Sequence, residues 1–473
     1  MAKTMDEISA ALMKGLYGFV AKAAGDLDAA TVDDPFVCWC KPGIPFEPDD
    51  FKFAKFMLAG QGSTADERAA DLSLQMRQAS GFSRFVDFVP SVNGVHEGKV
   101  EGGVLRQGNA TLSELYKRIL EASQTADLPE PEGVNEKIAA LRAKAKTLEE
   151  AYFKFGDEFD AAKAAYVGAS LMARADAMAD LKFRAAGPGL KKKAQRALQA
   201  WEIDGAKTEY ENLTGEIQSL AAKRKPANWR AEAITSFNTL PDGEDATFGE
   251  ARISMPYPGG FAANATGWSS YALSLKNVDE LSSSKSTKWA AGGGVGWGSL
   301  KIGATGSGST TQSLVVNNTD SFSINMSIAQ VSLLRKWFDP WFLRSEFWRF
   351  NPASMESNRG DIVSDGGMPA KGLMVAYPVS AIFIRGVEIV MDELKDETSE
   401  LVKTLKAEGK GGWGLGALNL GGSYERNSQE NKHKADVANG KLTVSGLQCI
   451  GFVCETMNKS PNPKPGANFG GGA

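Results

Sequence analysis

The side chains that most often do chemistry are scarce in this chain, which holds two histidines, His96 and His433, and four cysteines, Cys38, Cys40, Cys449 and Cys454. Two distant imidazoles make a His-based triad or a facial metal site hard to build. Cys38 and Cys40 lie in an extended stretch, where they point to one face and cannot easily pair with each other. The cysteine spacings are not C-x2-C and no histidine accompanies them, so buried reduced thiols are expected rather than a metal centre or a disulfide framework. A reducing cytoplasm suits that usage.

Other catalytic patterns fail in specific ways. No G-x-S-x-G elbow is present. The run GATGSGST at 303–310 imitates a phosphate loop, but Ser309 stands where the lysine is needed, and the run falls among expected strands rather than opening a helix. Asp361 and Asp365, beside Gly366 and Gly367, could hold a cation or act as a carboxylate pair, yet a glycine-rich turn accounts for them more simply. The expectation is therefore a non-enzymatic protein with no cofactor and no metal. A carboxylate-dependent enzyme is the minor alternative.

Two clusters suggest contact rather than catalysis. In the segment 337–350, seven of fourteen residues are aromatic: Trp337, Phe338, Trp341, Phe342, Phe347, Trp348 and Phe350. A core plug is the usual explanation; an interface is the functional one, because interface anchors use Trp, Phe and Arg. Base stacking would need surrounding positive charge, so no nucleic acid partner is expected. Lys182, Arg184, Lys191, Lys192, Lys193 and Arg196 form a basic group. It is either a solvated helix end or a contact for an acidic protein, a phosphate or a lipid headgroup.

These residues must be positioned by elements legible as periodicity. Thr4 to Glu7 reads as a capping box before a helix with Ile8, Leu12, Leu16 and Val20 on one face and a stop at Gly25. An extended, buried segment is expected at 34–46, and further helices at about 50–60, 64–80 and 111–124, the last opening on the capping box Thr111 to Glu114. From Ile138 to Ala173 apolar residues alternate by three and four, a heptad seam predicting one helix of roughly 50 residues, about 75 Å long. Gly187-Pro188-Gly189 should end it, and a second helix should run back to Lys225 with Ala206, Tyr210, Leu213, Ile217 and Leu220 on a stripe. The pair makes an antiparallel hairpin with the basic group at its tip.

Beyond residue 250 the pattern turns to short alternating runs with Gly clusters. An offset of 118 residues carries 294 onto 412 and lays Gly294, Gly296, Gly298, Leu300 and Gly303 over Gly412, Gly414, Gly416, Leu418 and Gly421. The same offset lays Ile324-Asn325-Met326-Ser327 over Leu442-Thr443-Val444-Ser445, so an internal duplication is expected. Strands are also expected near 268–275 and 379–391. The fold class is α+β: a helical region (1–134), a long coiled-coil-like hairpin (135–225), a connector (226–249), an antiparallel, β-sandwich-like domain of duplicated units (250–460, copies about 265–334 and 380–453), and a flexible tail (461–473).

The bulk composition agrees with a globular chain of several domains: 473 residues, 42% hydrophobic, 23% charged, net charge −4 and 51 glycines. There is neither a signal peptide nor a run of eighteen apolar residues, so cytoplasmic synthesis is expected, with an unsignalled route of release left open. The leading expectation of function is a structural or assembly protein that self-associates or binds another protein. The alternative is a membrane-acting protein whose Gly/Ser/Thr-rich segments insert as β-hairpins, with Val295, Trp297, Leu300, Ile302, Trp413, Leu415, Leu418 and Leu420 on the apolar face. Helices followed by a β-domain resemble the layout of soluble pore-forming toxins; the likeness is one of layout and rests on no motif.

Overall fold

The computed structural model describes residues 3–23, 36–54, 65–90, 103–104, 110–128, 132–173, 177–221, 225–239, 252–263, 267–278, 300–302, 314–316, 318–367, 370–396, 413–415, 418–426, 429–433 and 435–470. Its helices are α1 (Met5–Ala23), α2 (Ala65–Val86), α3 (Leu112–Ala122), α4 (Val134–Ala173), α5 (Ala177–Ile203), α6 (Lys207–Ala221), α7 (Pro226–Asn238) and α8 (Pro340–Arg344). Its main strands are β1 (Phe36–Phe46), β2 (Ser123–Thr125), β3 (Met255–Tyr257), β4 (Ser269–Ser274), β5 (Leu300–Ile302), β6 (Leu314–Val316), β7 (Phe322–Leu334), β8 (Trp348–Phe350), β9 (Ala376–Met391), β10 (Trp413–Leu415), β11 (Leu418–Arg426), β12 (Gln429–His433), β13 (Ala435–Ala438) and β14 (Lys441–Thr456). The chain is α+β, with antiparallel pairing throughout except between β1 and the short strand at 103–104.

Strand β9 is the axis of the main sheet. It is flanked by β7 and β14; β1 joins the far side of β14, and β3 and β4 both pair with β7. Ile382, Ile384 and Ile389 face a core shared with Ile8, Leu12 and Leu16 of α1. Ala381 and Phe383 face the opposite core, where Phe383 meets Phe46, Phe51 and Phe261 at ring separations of 5.7, 5.5 and 4.8 Å. All four cysteines are free and buried in that second core. Burial pushes the Cys38 thiol up to about 12 and Cys40 well above its usual range, the latter chiefly through its hydrogen bond with Cys449. Among the described residues no group could hold a metal ion.

The offset read in the sequence reappears in strand register. Ile324 of β7 and Leu442 of β14 both stand opposite Ile389, and Asn325 and Thr443 both stand opposite Glu388. Bulges then widen the offset: Ile328 and Gln448 share Ile384. Gly386 sits at the β9–β14 irregularity with φ 61°, a left-handed conformation that suits glycine. Upstream, 300–302 and its counterpart 418–420 lie in one five-stranded sheet of order β12-β11-β10-β5-β6.

Both expected capping boxes form. Thr4 Oγ1 accepts from the Glu7 amide at 3.2 Å and the Thr4 amide donates to Glu7 Oε2 at 2.8 Å; Thr111 and Glu114 do the same. The helical seam is present, with Ile138, Phe159 and Ala162 buried, but the turn is misplaced in the sequence reading. Pro188 lies inside α5. The helix continues through it, packed against α4 on both sides: Tyr166 meets Phe183 before the proline and Phe159 stacks on Trp201 after it. The return arm instead breaks at Asp204–Ala206, where Ala206 has φ 49° and a Cβ on Gly205 would lie 2.7 Å from the Trp201 carbonyl oxygen.

Further expectations are corrected. Residues 1–134 are not only helical, because β1 is hydrogen-bonded into the sheet. Around 50–60 the described part is a 3-10 turn at Pro48–Phe51 followed by a short helical stretch to Ala54. The connector's first half is helix α7. The tail is strapped down as far as Gly470: Lys464 N donates to Glu346 O at 2.8 Å, Asp127 N to Asn468 O at 2.7 Å, and the Arg349 guanidinium covers Phe469 at 4.5 Å. Gly25 and the 303–310 run lie outside the described residues, and no described helix is long and apolar enough to cross a membrane.

Helix α4 crosses β4 at Gly168, where a Cβ would lie 2.9 Å from the Ser270 carbonyl oxygen. Gly168→Val should therefore cost about 1–3 kcal/mol in urea unfolding. Gly215→Ala, in α6 with nothing within 4 Å, should gain about 0.5–1 kcal/mol from helix propensity.

Candidate functional site

South of that crossing point α4 lifts off the sheet, and a half-open cleft of about 850 Å³ separates the hairpin from β3, β4 and β7. Its hairpin wall is aromatic. Trp201 of α5 lies 5.3 Å from Tyr152, and Gly156 lets the indole press on α4, a Cβ there coming within 3.2 Å of the ring. Phe153 bridges to Tyr257 of β3 at 4.7 Å. On the sheet side Phe261 stacks with Trp268 at 6.3 Å, fixed by the Trp268 indole donating to Phe261 O at 2.9 Å.

Carboxylates enter the same space from α4. Burial, then the charges of Asp160 and Glu158, push Asp157 up to about 7. Asp160, although its side chain is exposed, is also raised by desolvation, and Lys163 partly offsets the rise. Tyr257 is raised too, by burial and then by Asp157 and Glu149. Lys163 is 7% exposed, with Nζ 5.6 Å from the Phe159 centroid. Two polar atoms of lining residues, Ser269 Oγ and Trp201 Nε1, are buried without a hydrogen-bond partner among the described residues.

A carboxyl titrating near 7 suits general acid–base work, but the described lining contains no His or Cys to serve as a second catalytic group. What the arrangement does supply is aromatic rings lining the same cleft as a carboxyl that burial and the charges of Asp160 and Glu158 disfavour as an anion, features that also hold organic cations.

The residues singled out from sequence lie elsewhere, with one exception. Trp337, Phe342, Trp348 and Phe350 are buried with Tyr116, Trp229 and Phe237 in a third core, so in this fold they are not interface anchors. Phe338 and Phe347 are half-buried. Trp341 alone of the seven is exposed, at 48%. The basic group is no tip: Lys182, Arg184, Lys191, Lys192, Lys193 and Arg196 are strung along the middle of α5 because the helix continues through Pro188. Lys193, the exception, lines the cleft. Of the strand residues, Leu300 and Ile302 fall in β5, Trp413 opposite Ile302 in β10, and Leu420 in β11. Leu415 and Leu418 are fully buried in the α1-side core, so insertion would first require unpacking it. Val295 and Trp297 lie outside the described residues. Asp365 brackets a turn, accepting from the Gly367 and Lys371 amides at 2.9 and 2.8 Å.

Sequence reasoning took 152–160 only as seam and passed over Asp157 and Asp160. The available signal was two acids spaced i, i+3 amid Tyr152, Phe153, Phe155 and Phe159, of which Phe153 is an aromatic the seam does not use.

The raised Asp157 means that the folded form holds a proton the unfolded chain releases. Its stability contribution is complete below the ordinary carboxylate range and is lost as pH rises toward about 7. Asp157→Asn should therefore melt about 2 °C above the parent at pH 8, after allowance for solvent in the cleft, and gain nothing at pH 4. Equal melting temperatures at pH 8 would contradict the uncompensated charge.

No family model, curated protein or solved structure matches the chain.

Proposed function

We propose that this is a binding protein rather than an enzyme, and that the cleft between hairpin and sheet takes a small organic cation of the alkylammonium type. The observation that carries the reading is Asp157, which lines one cleft with the half-buried rings of Tyr152, Phe153, Trp201 and Tyr257 and whose carboxyl is raised by burial and then by the charges of Asp160 and Glu158. A cation placed there relieves the repulsion and gains ring-face attraction of about 0.5–2 kcal/mol per good contact. The volume of about 850 Å³ suits a drug-sized ligand. Because the cation competes with a proton on Asp157, affinity should rise with pH through about 7. Isothermal titration with tetramethylammonium should show binding at pH 8, about tenfold weaker at pH 5.5 and in Asp157→Asn. Absence of binding at pH 8, or an unchanged affinity in the variant, counts against the proposal.

Self-association is the second reading, favoured by Trp341, Met355 and Ile362, which are 48%, 64% and 38% exposed within the single stretch 341–362. Exposed apolar groups of this size mark contact sites when they are contiguous. Light scattering should find oligomers that Trp341→Glu dissociates; a parent that stays monomeric at high concentration removes this reading. We also read the β half as two copies of one unit, supported by the partners Ile389 and Glu388 that both copies share, and as sandwich-like, supported by Leu415 and Leu418 of the five-stranded sheet, which are buried in the core that lies on one face of the main sheet.

A further inference from the structure

Resting on the cleft reading, we propose that the cation is the terminal ammonium of a short peptide, whose second residue pairs with the backbone of Gln330 while the ammonium meets Asp157. The starting point is an open stretch of strand edge. On the side away from β9, β7 pairs with β4 over 323–328 and with β3 over 332–334. Residues 329–331 lie between these two strands and have no partner on that side among the described residues. The cleft is lined by Ile328, Ala329, Gln330, Val331 and Ser332 in succession. Side chains of a strand alternate between faces, and here Ile328 enters the α1-side core whereas Ala329 and Val331 enter the opposite one. A run that lines one cavity without a break therefore presents the edge of the strand rather than a face.

A proline tells which backbone groups point outward. Leu333 stands opposite Pro256, which has no N–H and so cannot exchange both hydrogen bonds with it. Antiparallel ladders alternate bonded with non-bonded pairs, so Ser332 and Leu334 are the residues that bond to β3. Two positions back, Gln330 turns its N–H and C=O to the same side, since its register with β9 runs unbroken from Ser327 to Ser332. Gln330 is exposed, and its side-chain amide is engaged elsewhere, donating to Ser380 Oγ at 2.8 Å. One donor and one acceptor thus open on the cleft, the pair that one residue of an extended peptide satisfies. The unpaired stretch spans about 10 Å at roughly 3.4 Å per residue, room for two or three residues, because β3 and β4 close its two ends. The gap also adjoins the carboxyl. Tyr257, the last residue of β3, stands opposite Ser332, and Asp157 is among the charges that act on its hydroxyl. A ligand with an amide backbone and a positive terminus uses the edge and the carboxylate together; a plain alkylammonium uses only the second.

The probes are glycylglycinamide, its N-acetyl derivative, glycylsarcosinamide, whose methylated nitrogen cannot donate to Gln330 O, and butylammonium, a cation without amides. Each is titrated into the full chain at pH 7.5, between the carboxyl at about 7 and a terminal amine at about 7.7–8.0. Glycylglycinamide should bind about tenfold tighter than butylammonium, the weight of two hydrogen bonds, and acetylation should weaken it about tenfold or more. In Gln330→Pro, which removes the outward N–H at an edge position where proline is tolerated, the ratio of glycylglycinamide to butylammonium affinity should collapse toward one. Circular dichroism checks the fold of the variant, and glycylsarcosinamide, expected to lose most of the preference on the unaltered chain, stands in should the variant fail to fold. Equal binding of glycylglycinamide and butylammonium, an acetylated peptide that binds as tightly as the free one, or a preference that survives both N-methylation and folded Gln330→Pro overturns the peptide. Butylammonium binding that depends on Asp157 leaves the cation site standing in those cases. No binding of any probe removes the cleft reading and this inference together.

Discussion

The structure depends on a strand that has no solvent face over much of its length. From Ala381 to Ile384 every side chain of β9 is buried, so one cover is not enough. Helix α1 and the five-stranded sheet residues Leu415 and Leu418 close one side; Phe46, Phe51, Phe82 and Phe261 close the other. Neither cover is local in sequence. The strand therefore gathers elements from both ends of the chain, with β7 and β14 paired to its two edges. Beyond the irregularity at Gly386 the demand relaxes: Val387 and Ile389 remain buried while Val390 is 37% exposed, the alternation of a strand covered on one face.

The cleft follows from how the hairpin meets this sheet. A long helix laid on a twisted sheet touches closely only where side chains are smallest, and Gly168 over Ser270 is that place. Moving away from it, Tyr152, Phe153 and Trp201 act as spacers against Tyr257, and the resulting gap is walled by rings. The same separation explains the titration behaviour. Asp157 is half-buried and no cation appears among the causes of its shift, so it lacks the compensation that the half-buried Arg335 receives from Asp87 and from the carbonyls of Pro378 and Val86.

What was legible in the sequence was what repeats at short range. The capping boxes at Thr4 and Thr111, the seam from Ile138 to Ala173 and the strands near 268–275 and 379–391 all depend on spacing along one element, and each has a counterpart in the structure. What failed depended on partners distant in sequence. Pro188 reads as a helix stop because its missing N–H is a local fact, whereas the contacts of Phe183 and Trp201 that flank it in the continuing helix are tertiary. The tail reads as linker because of its prolines and glycines, yet Phe469 finds Arg349 and the backbone finds Glu346 and Asp127. The aromatic segment was ambiguous for the same reason: composition does not say whether Tyr116, Trp229 and Phe237 will arrive to bury it. A cleft is the extreme case, since it is a property of the space between two elements and is written in neither.

Three departures from ordinary folding economy coincide in that space: a carboxyl lifted toward neutrality, a buried hydroxyl and a buried indole N–H, both without partners. Two other half-buried carboxyls are hydrogen-bonded. Asp339, also raised by burial, accepts from the Trp229 indole at 2.8 Å and the Trp341 amide at 3.0 Å, and Asp87 accepts from the Ser113 amide and hydroxyl. One unsatisfied group is an incident of packing, and several are scattered through the described residues. A carboxyl in charge conflict on a concave surface lined by rings is harder to ascribe to packing alone, because an Asp157→Asn change would remove that cost. Proteins concentrate local inconsistencies where function requires them, and on that physical ground the cleft, rather than the aromatic belt or the basic helix, is where this chain's function should be sought.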